Sequence, residues 1–491
     1  MASDLDLNTV PVRNAPSTHR EGIPVGSQAF YRTTAFPPRH AFILLAGDLV
    51  LILVAIHLGA LLRFGEFVDV LGEYTGASIL FYLTFLSLFY VLELYDPSQS
   101  AQGWRTLLQI CGASLLAMAA LSIFFYWTVQ YRYGRGIFLL AASIVPLLAH
   151  GWRQFNASYS DAFDPTIPTL IVGHNPTAER TCSVLENSYS HYRFAGMVRM
   201  ESDQPPDTHS DSRLVGDMHQ LEDLVRTLQI RCLVIAGDGV HLTPEQGSLL
   251  TRMKFNGVHV VEAGHFFSHV SGMVAIESLS DSWLWFADGF ELVRARMARR
   301  VKRLCDLLFA TVGLLLSWPL GILAAVTIKL DSPGPIFYRQ ERVGFLEAPF
   351  QLIKFRSMRA DAESDGIAQW AAIGDQRVTR VGHWLRKLRI DEIPQMINVL
   401  KGEMSFIGPR PERPTFVEQL RFTIPFYHLR HYVRPGITGW AQVNYPYGAS
   451  VEDATRKLEL DLYYIMNASL LLDFRILVRT IRIVLFQKGS R

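Results

Sequence analysis

Leu385 to Pro414 reads LRKLRIDEIPQMINVLKGEMSFIGPRPERP. Two adjacent carboxylates, Asp391 and Glu392, follow the cations Arg386, Lys387 and Arg389, and a further cation, Arg410, is set between Pro409 and Pro411. Carboxylates able to attack phosphorus or to hold a metal, surrounded by arginine, are the groups that chemistry on a phosphate anhydride calls for. Taken alone, the dipeptide reads more readily as a helix cap with a solvated neighbour. Ile393-Pro394 starts or kinks a helix, which leaves the pair near an N-terminus whose exposed N–H groups favour anions.

Working outward, Lys354-Phe355-Arg356-Ser357-Met358 sets two cations two residues apart, on one side if the segment is extended. Asp375, Arg377 and Arg380 lead into a helix through Trp384 and Leu388. Further upstream lies an apolar run, Leu307 to Leu330, interrupted by Ser317-Trp318-Pro319 and flanked by positive charge at both ends. Arg294, Arg296, Arg299, Arg300, Lys302 and Arg303 precede it; Lys329, Arg339, Arg342, Lys354, Arg356 and Arg359 follow. Charge of one sign on both sides suits a helix that enters a membrane, bends at Pro319 and returns, with the Ser317 hydroxyl a candidate partner for the freed backbone. A fifth span is the alternative. Downstream, Asp473 to Lys488 carries Arg475, Arg479 and Arg482 at helical spacing, which fits either a helix in an anionic membrane surface or one docked on its own domain.

The chain has 491 residues, 49% hydrophobic and 19% charged, a mix that fits a membrane protein with substantial soluble parts. A net charge of +2, with no basic tail, gives no argument for a nucleic-acid partner. The four cysteines are scattered, without a CxxC pair, so neither zinc nor a disulfide framework is expected. Residues 1–40 read as a disordered cytoplasmic tail. Apolar segments at 41–62, 76–94, 106–128 and 136–152 predict four transmembrane helices, and the arginines of the tail put the N-terminus in the cytoplasm. Asp48 falls inside the first span, either as a functional carboxylate or as a buried polar contact between helices.

Residues 160–290 alternate strand and helix signals: strands at Pro168–Gly173, Phe194–Val198, Cys232–Ala236 and Val258–Glu262, with helices from Thr177, near Met218–Leu228 and after Thr243. That alternation predicts a doubly wound parallel sheet. Its first strand ends in Gly173-His174-Asn175 and lacks the second glycine of a dinucleotide fingerprint, so a degenerate, Rossmann-like module is expected.

KFRSM (354–358), LRKLRIDEIPQMINVLKGEMSFIGPRP (385–411) and HYVRPGITGWAQVN (431–444) resemble the bacterial sugar transferase family, the monotopic polyprenyl-phosphate hexose-1-phosphate transferases that begin exopolysaccharide and O-antigen units. The resemblance covers about residues 295–491 and implies a mostly helical monotopic catalytic domain with a re-entrant helix at 305–330. The four spans and the sheet ahead of it look like the large form of the family. By resemblance the reaction joins hexose-1-phosphate from a UDP-hexose to undecaprenyl phosphate and releases UMP. Asp391 would be the nucleophile that forms a phosphosugar-enzyme, and Glu392, with Asp391, would hold Mg²⁺. Arg386 and Arg410 match phosphate-holding positions, and Lys354 is a further phosphate contact by its charge. The family's Ser-Pro bend is Ser317-Trp318-Pro319 here. The resemblance further implies a homodimer in the bacterial inner membrane, multi-pass, with catalysis on the cytoplasmic face.

Two rivals stand beside this reading. A glycosyltransferase making a polyprenyl-monophosphate sugar would release UDP, but the only Asp-x-Asp is Asp4-Leu5-Asp6, in the tail. An inactive membrane scaffold for polysaccharide assembly would have little reason to keep KFRSM, the Asp-Glu pair and Pro-Arg-Pro together.

Overall fold

The computed structural model describes residues 39–92, 94–95, 103–127, 135–158, 166–187, 192–200, 213–236, 242–279, 284, 289–290, 295–359, 362, 375–446, 448 and 450–486. The tail through Pro38, with Arg13, Arg20 and Arg32 of the arginines that orient the chain, lies outside them, and the fourth, Arg39, starts the first helix.

Each of the four apolar segments forms a helix: α1 (Arg39–Phe64), α2 (Thr75–Val91), α3 (Gly103–Trp127) and α4 (Arg135–Ser158). The apolar parts of α1, α3 and α4 are long enough to cross a membrane; α2, at 17 residues, sits at the short end of that range. Along α2, Phe81, Phe85 and Phe89 recur every fourth residue, so they share one face. All three are fully buried, and Phe81 meets Phe138 of α4 at a ring-centroid distance of 5.4 Å.

The last span runs past its expected end at residue 152, and that extension brings Arg153 inside the helix. The Arg153 guanidinium donates to both Asp48 oxygens, at 2.9 and 2.8 Å, with both side chains fully buried. Of the two readings of Asp48, the structure supports the buried contact between helices.

The next unit is a five-stranded parallel sheet of β1 (Ile167–Val172), β2 (Tyr192–Arg199), β3 (Leu214–Asp217), β4 (Cys232–Ile235) and β5 (His259–Glu262), ordered β3-β2-β1-β4-β5. Alternate residues feed two cores. Leu170, Val172, Leu233 and Ile235 face Leu221, Leu250 and Met253, whereas Ile171, Cys232 and Val234 face Ala178, Cys182 and Phe266. Both faces are therefore covered by helices, as buried parallel strands require. Thr243 caps its helix with a complete capping box, as Thr243-Pro-Glu promised. Strand β3 was not foreseen; it is four residues long, with no alternation to announce it.

The helix α5 (Arg296–Asp331) follows. Its 36 residues include the basic run, so Arg296 to Arg303 are its first turns and not a separate linker, and Pro319 lies inside it. Both halves of α5 pack on one and the same unit. Before Pro319, Ala310 is buried with Phe350, Leu352, Val399 and Met404; after it, Ala324 and Ile328 are buried with Phe355 and Leu385. The outward side, with Leu308, Leu315, Leu316, Trp318 and Leu323, is apolar and exposed. Ser317 does not serve the backbone as expected: its buried hydroxyl has no hydrogen-bond partner.

That unit contains an antiparallel hairpin, β6 (Phe337–Val343) and β7 (Pro349–Phe355), and a parallel pair, β8 (Ser405–Ile407) and β9 (Gly436–Thr438). Its helices include α6 (Arg380–Lys387), α7 (Gln395–Lys401), α8 (Val451–Asn467) and α9 (Leu470–Phe486). A continuous core joins it to the parallel sheet, running from Ile171 and Phe266 through Trp440 to Tyr464 and Ile476. Across this junction Arg180 donates to both oxygens of the fully buried Glu459, at 2.8 and 3.0 Å, and the Trp440 indole donates to the Gly272 carbonyl at 2.9 Å.

Helix α9 docks on this core by Leu472 and Ile476, with Thr480 bonded to Thr438 and Arg479 stacked over Trp440. Its opposite side exposes Leu470, Leu471, Phe474 and Ile481, and Phe474 reaches Tyr90 at the end of α2. An arginine thus lies on the docked side and the exposed side is apolar. The docked reading holds for one face; the other is a surface fit for lipid.

Candidate active site

Asp391 and Glu392 form the end of a 3-10 turn, Ile390–Glu392, between α6 and α7. The turn is entered through Arg389, whose φ of 55° is left-handed and unusual for a residue with a side chain. Pro394 caps α7 and needs no N–H there. Ile390 and Ile393, on either side of the carboxylates, pack against the second half of α5. The pair is one side chain away from the apolar helix.

The two carboxylates differ. Glu392 accepts a hydrogen bond from Arg410 at 2.9 Å and lies 3.6 Å from Arg389. Burial opposes its ionisation, but Arg410 and Arg389 outweigh burial and hold it below the usual glutamate range. Asp391 is 8% exposed, and among the described residues nothing hydrogen-bonds its carboxylate. Burial and the adjacent Glu392 charge raise it to about 6, against the pull of Lys354, Arg386 and Arg410.

The cations come from separate elements. Lys354, next to the end of β7, lies over the Tyr338 ring at 5.1 Å. Burial, then Arg342, lowers its ammonium to about 8, with Asp391 pulling the other way. Arg386 of α6 donates through Nε to Ser357 at 2.9 Å, and its charge pulls against the rise at Asp391. The cations of KFRSM part company: β7 ends at Phe355, and Arg356 turns away to bond the Pro333 carbonyl at 2.6 Å and the Ser332 carbonyl at 2.7 Å, where it fixes the exit of α5. Asp375 and Arg377 pair with each other.

Sequence reasoning named Lys354, Arg386, Asp391, Glu392 and Arg410, and the structure brings all five together. It missed Arg342, whose charge bears on Lys354, and Asn398, which is fully buried and bonds the backbone of Ile353 and Gln351 beside Lys354. Arg342 sits in an unremarkable strand and Asn398 in a short helix; neither carries a local signal.

In the parallel sheet, Asn175 occupies the end of β1: its side chain accepts from Ala178 N at 2.8 Å and donates to the Ala236 carbonyl at 3.1 Å. The side chain thereby links the first turn of the helix Pro176–Asn187 to the residue after β4.

A carboxylate with no hydrogen-bond partner among the described residues, beside one bonded by arginine and framed by half-buried cations next to an apolar helix, has the groups that chemistry on a phosphate needs. The sequence profile of the family described as Bacterial sugar transferase matches residues 297–487. The chain is 46% identical over 250 residues to a UDP-N-acetylgalactosamine-undecaprenyl-phosphate N-acetylgalactosaminephosphotransferase of Aeromonas hydrophila, covering 51% of this chain and 58% of that protein. It is 46% identical over 191 residues to a UDP-glucose:undecaprenyl-phosphate glucose-1-phosphate transferase of Xanthomonas campestris pv. campestris, 38% of this chain and 40% of that protein. A protein of the same description from Caulobacter vibrioides is 44% identical over 182 residues, 37% of this chain and 68% of that protein. The chain belongs to the bacterial sugar transferase family.

Proposed function

We propose that this protein transfers hexose-1-phosphate from a UDP-hexose to undecaprenyl phosphate, releasing UMP and forming undecaprenyl-diphosphate-hexose. The observation that carries this reading is the contrast between Asp391, unengaged, and Glu392, tied to Arg410. The related proteins named above act on undecaprenyl phosphate by their descriptions, one with N-acetylgalactosamine and two with glucose, so the sugar itself stays open.

In the first step an Asp391 oxygen attacks the sugar-bearing phosphorus of the donor. The bond from that phosphorus to the bridging oxygen breaks, UMP leaves with the electron pair, and an acyl phosphate carries the sugar. In the second step an oxygen of the lipid phosphate attacks the same phosphorus and Asp391 leaves as carboxylate. Two displacements suit a water-soluble donor and a lipid acceptor that share one site. Lys354, Arg386 and Arg410 hold phosphate oxygens and stabilise the charge that develops on them.

Mg²⁺ belongs to the same proposal. A cation of this kind is commonly held by one or two carboxylates together with substrate phosphates. Glu392, kept ionised, and Asp391 would hold it. Bound there, it would offset diphosphate charge and help UMP depart.

The helix α5 is proposed to be re-entrant. Its two halves packing on one unit, with its apolar side outward, support that over a span that would separate them. The sheet is proposed to be a Rossmann-like module without a live dinucleotide site, and the catalytic unit to face the cytoplasm.

The test supplies UDP-hexose donors, undecaprenyl phosphate and Mg²⁺ and measures UMP against UDP. UMP, lost in Asp391→Asn, is expected. UDP would instead support a polyprenyl-monophosphate glycosyltransferase, and no product from any donor would support a scaffold. With the lipid acceptor left out, label from the donor's β-phosphate should remain on the protein; its absence would remove the covalent step.

A further inference from the structure

The segment Pro409-Arg410-Pro411-Glu412 has no secondary structure of its own. Its prolines lack N–H donors, so its position has to come from partners elsewhere. Four consecutive carbonyls find one each. Pro409 accepts from Gly436 N at 2.8 Å and Glu412 from Val343 N at 2.9 Å. Between them, Arg410 accepts from the Arg430 guanidinium at 3.0 Å and Pro411 from the Arg342 guanidinium at 3.0 Å.

Arg430 is 6% exposed and also pairs with Asp461 at 2.9 Å and with the Tyr427 hydroxyl. It contacts neither carboxylate of the candidate site. Its Nη2 reaches both Asp461 and the Arg410 carbonyl while Nη1 donates to the Tyr427 hydroxyl, so the planar guanidinium ties three partners through two nitrogens that a lysine's single ammonium does not have. A buried cation held by a buried carboxylate is a rigid post, and the nitrogen that faces the carboxylate also ends on the backbone of the arginine that reaches Glu392.

We propose that Arg430 is a positioning residue for the transfer: held by Asp461, it fixes the backbone of Arg410 so that the Arg410 side chain meets Glu392 and the donor's phosphates. Arg342 does the same for the next carbonyl from the β6 side. The inference rests on the reaction proposed above and goes past the residues that touch substrate.

The experiment compares Arg410→Ala, Arg430→Lys and the double variant in UMP release from UDP-hexose, with folding followed by thermal melting. Arg410→Ala should lower kcat/KM about 100-fold. Arg430→Lys should lower it about 10-fold by displacing Arg410, with the donor KM raised as well as kcat reduced. In the Arg410→Ala background, Arg430→Lys should add little, because the group it positions is gone. A purely structural role predicts the reverse: kcat lowered through a smaller active fraction, KM unchanged, and the full loss repeated in the Arg410→Ala background. That outcome overturns the inference and leaves the reaction standing. No UMP from the wild-type protein would overturn the reaction first. If Arg430→Lys does not fold, Arg342→Gln carries the same comparison, and an effect additive with Arg410→Ala again counts against the inference.

Discussion

Arg410 donates a 2.9 Å hydrogen bond to Glu392 across 18 residues of chain, and Asp391, the next residue back, receives none from the described residues. One arginine thereby divides two adjacent, chemically similar groups into a fixed anion and an unengaged one. Arg410→Lys should keep the charge and lose the directed fork, lowering turnover about 10-fold, against about 100-fold for Arg410→Ala. Initial rates of UMP release from the two variants check it; equal losses would show that charge alone matters.

As the proposed nucleophile Asp391 would have to be ionised to attack, and its carboxyl is raised to about 6. The donor's kcat/KM should therefore be level above pH 7 and fall about tenfold per pH unit below pH 6. A rate flat down to pH 4.5 would contradict this.

The same shift has a stability side. A carboxyl raised on folding binds its proton more tightly in the native state, so its contribution to stability is lost as pH rises from about 4 to 6 and stays lost above. Asp391→Asn, expected to be inactive, should accordingly be more stable than the wild type at pH 7.5 by on the order of 1–3 kcal/mol, seen as a higher melting temperature. The difference should shrink at pH 4.5. Melting curves at the two pH values decide it.

Asp48 and Arg153 neutralise each other inside the membrane helices. Removing one partner strands a buried charge, so Asp48→Leu or Arg153→Met alone should cost about 3–5 kcal/mol, while the double variant should recover most of it. Thermal unfolding in one detergent measures all four proteins. Single variants as stable as the wild type would show that the pair is not dry.

Gly382, on the first turn of α6, lies so close to strand β7's continuation that an added Cβ would stand 2.0 Å from the Ser357 carbonyl oxygen. Gly382→Ala should push α6, and Arg386 with it, off that backbone. A loss of about 1–3 kcal/mol, with weakened donor binding, is expected from melting and KM.

What could be read from the residues was whatever repeats or punctuates. The membrane helices followed from apolar length and the buried strands from runs such as Thr169-Leu-Ile-Val172. Asp391, Glu392 and Arg410 stood out because a cluster of opposite charge beside Pro-Arg-Pro is hard to explain as surface. The partners that hold them did not. Arg153 fell one residue past an estimated span end, and Arg430 reads as one more basic residue in HLRHY. Long-range pairs such as Arg430 with Asp461 leave no local trace, since their spacing is set by the fold. Arg356 looked like a twin of Lys354 until the strand ended between them.

The carboxylates of Glu459 and Asp461 are two residues apart on α8, where side chains point to opposite sides. One is gripped by Arg180 of the parallel sheet and the other by Arg430 beneath the Pro-Arg-Pro segment. Arg180 leaves the ribosome 279 residues before Glu459 does, so the receptor for α8 exists long before α8 is made. The sheet then acts as a mould on which the last-made part of the chain sets. A C-terminal fragment expressed by itself would carry every group of the site and still lack the surface against which α8 is cast.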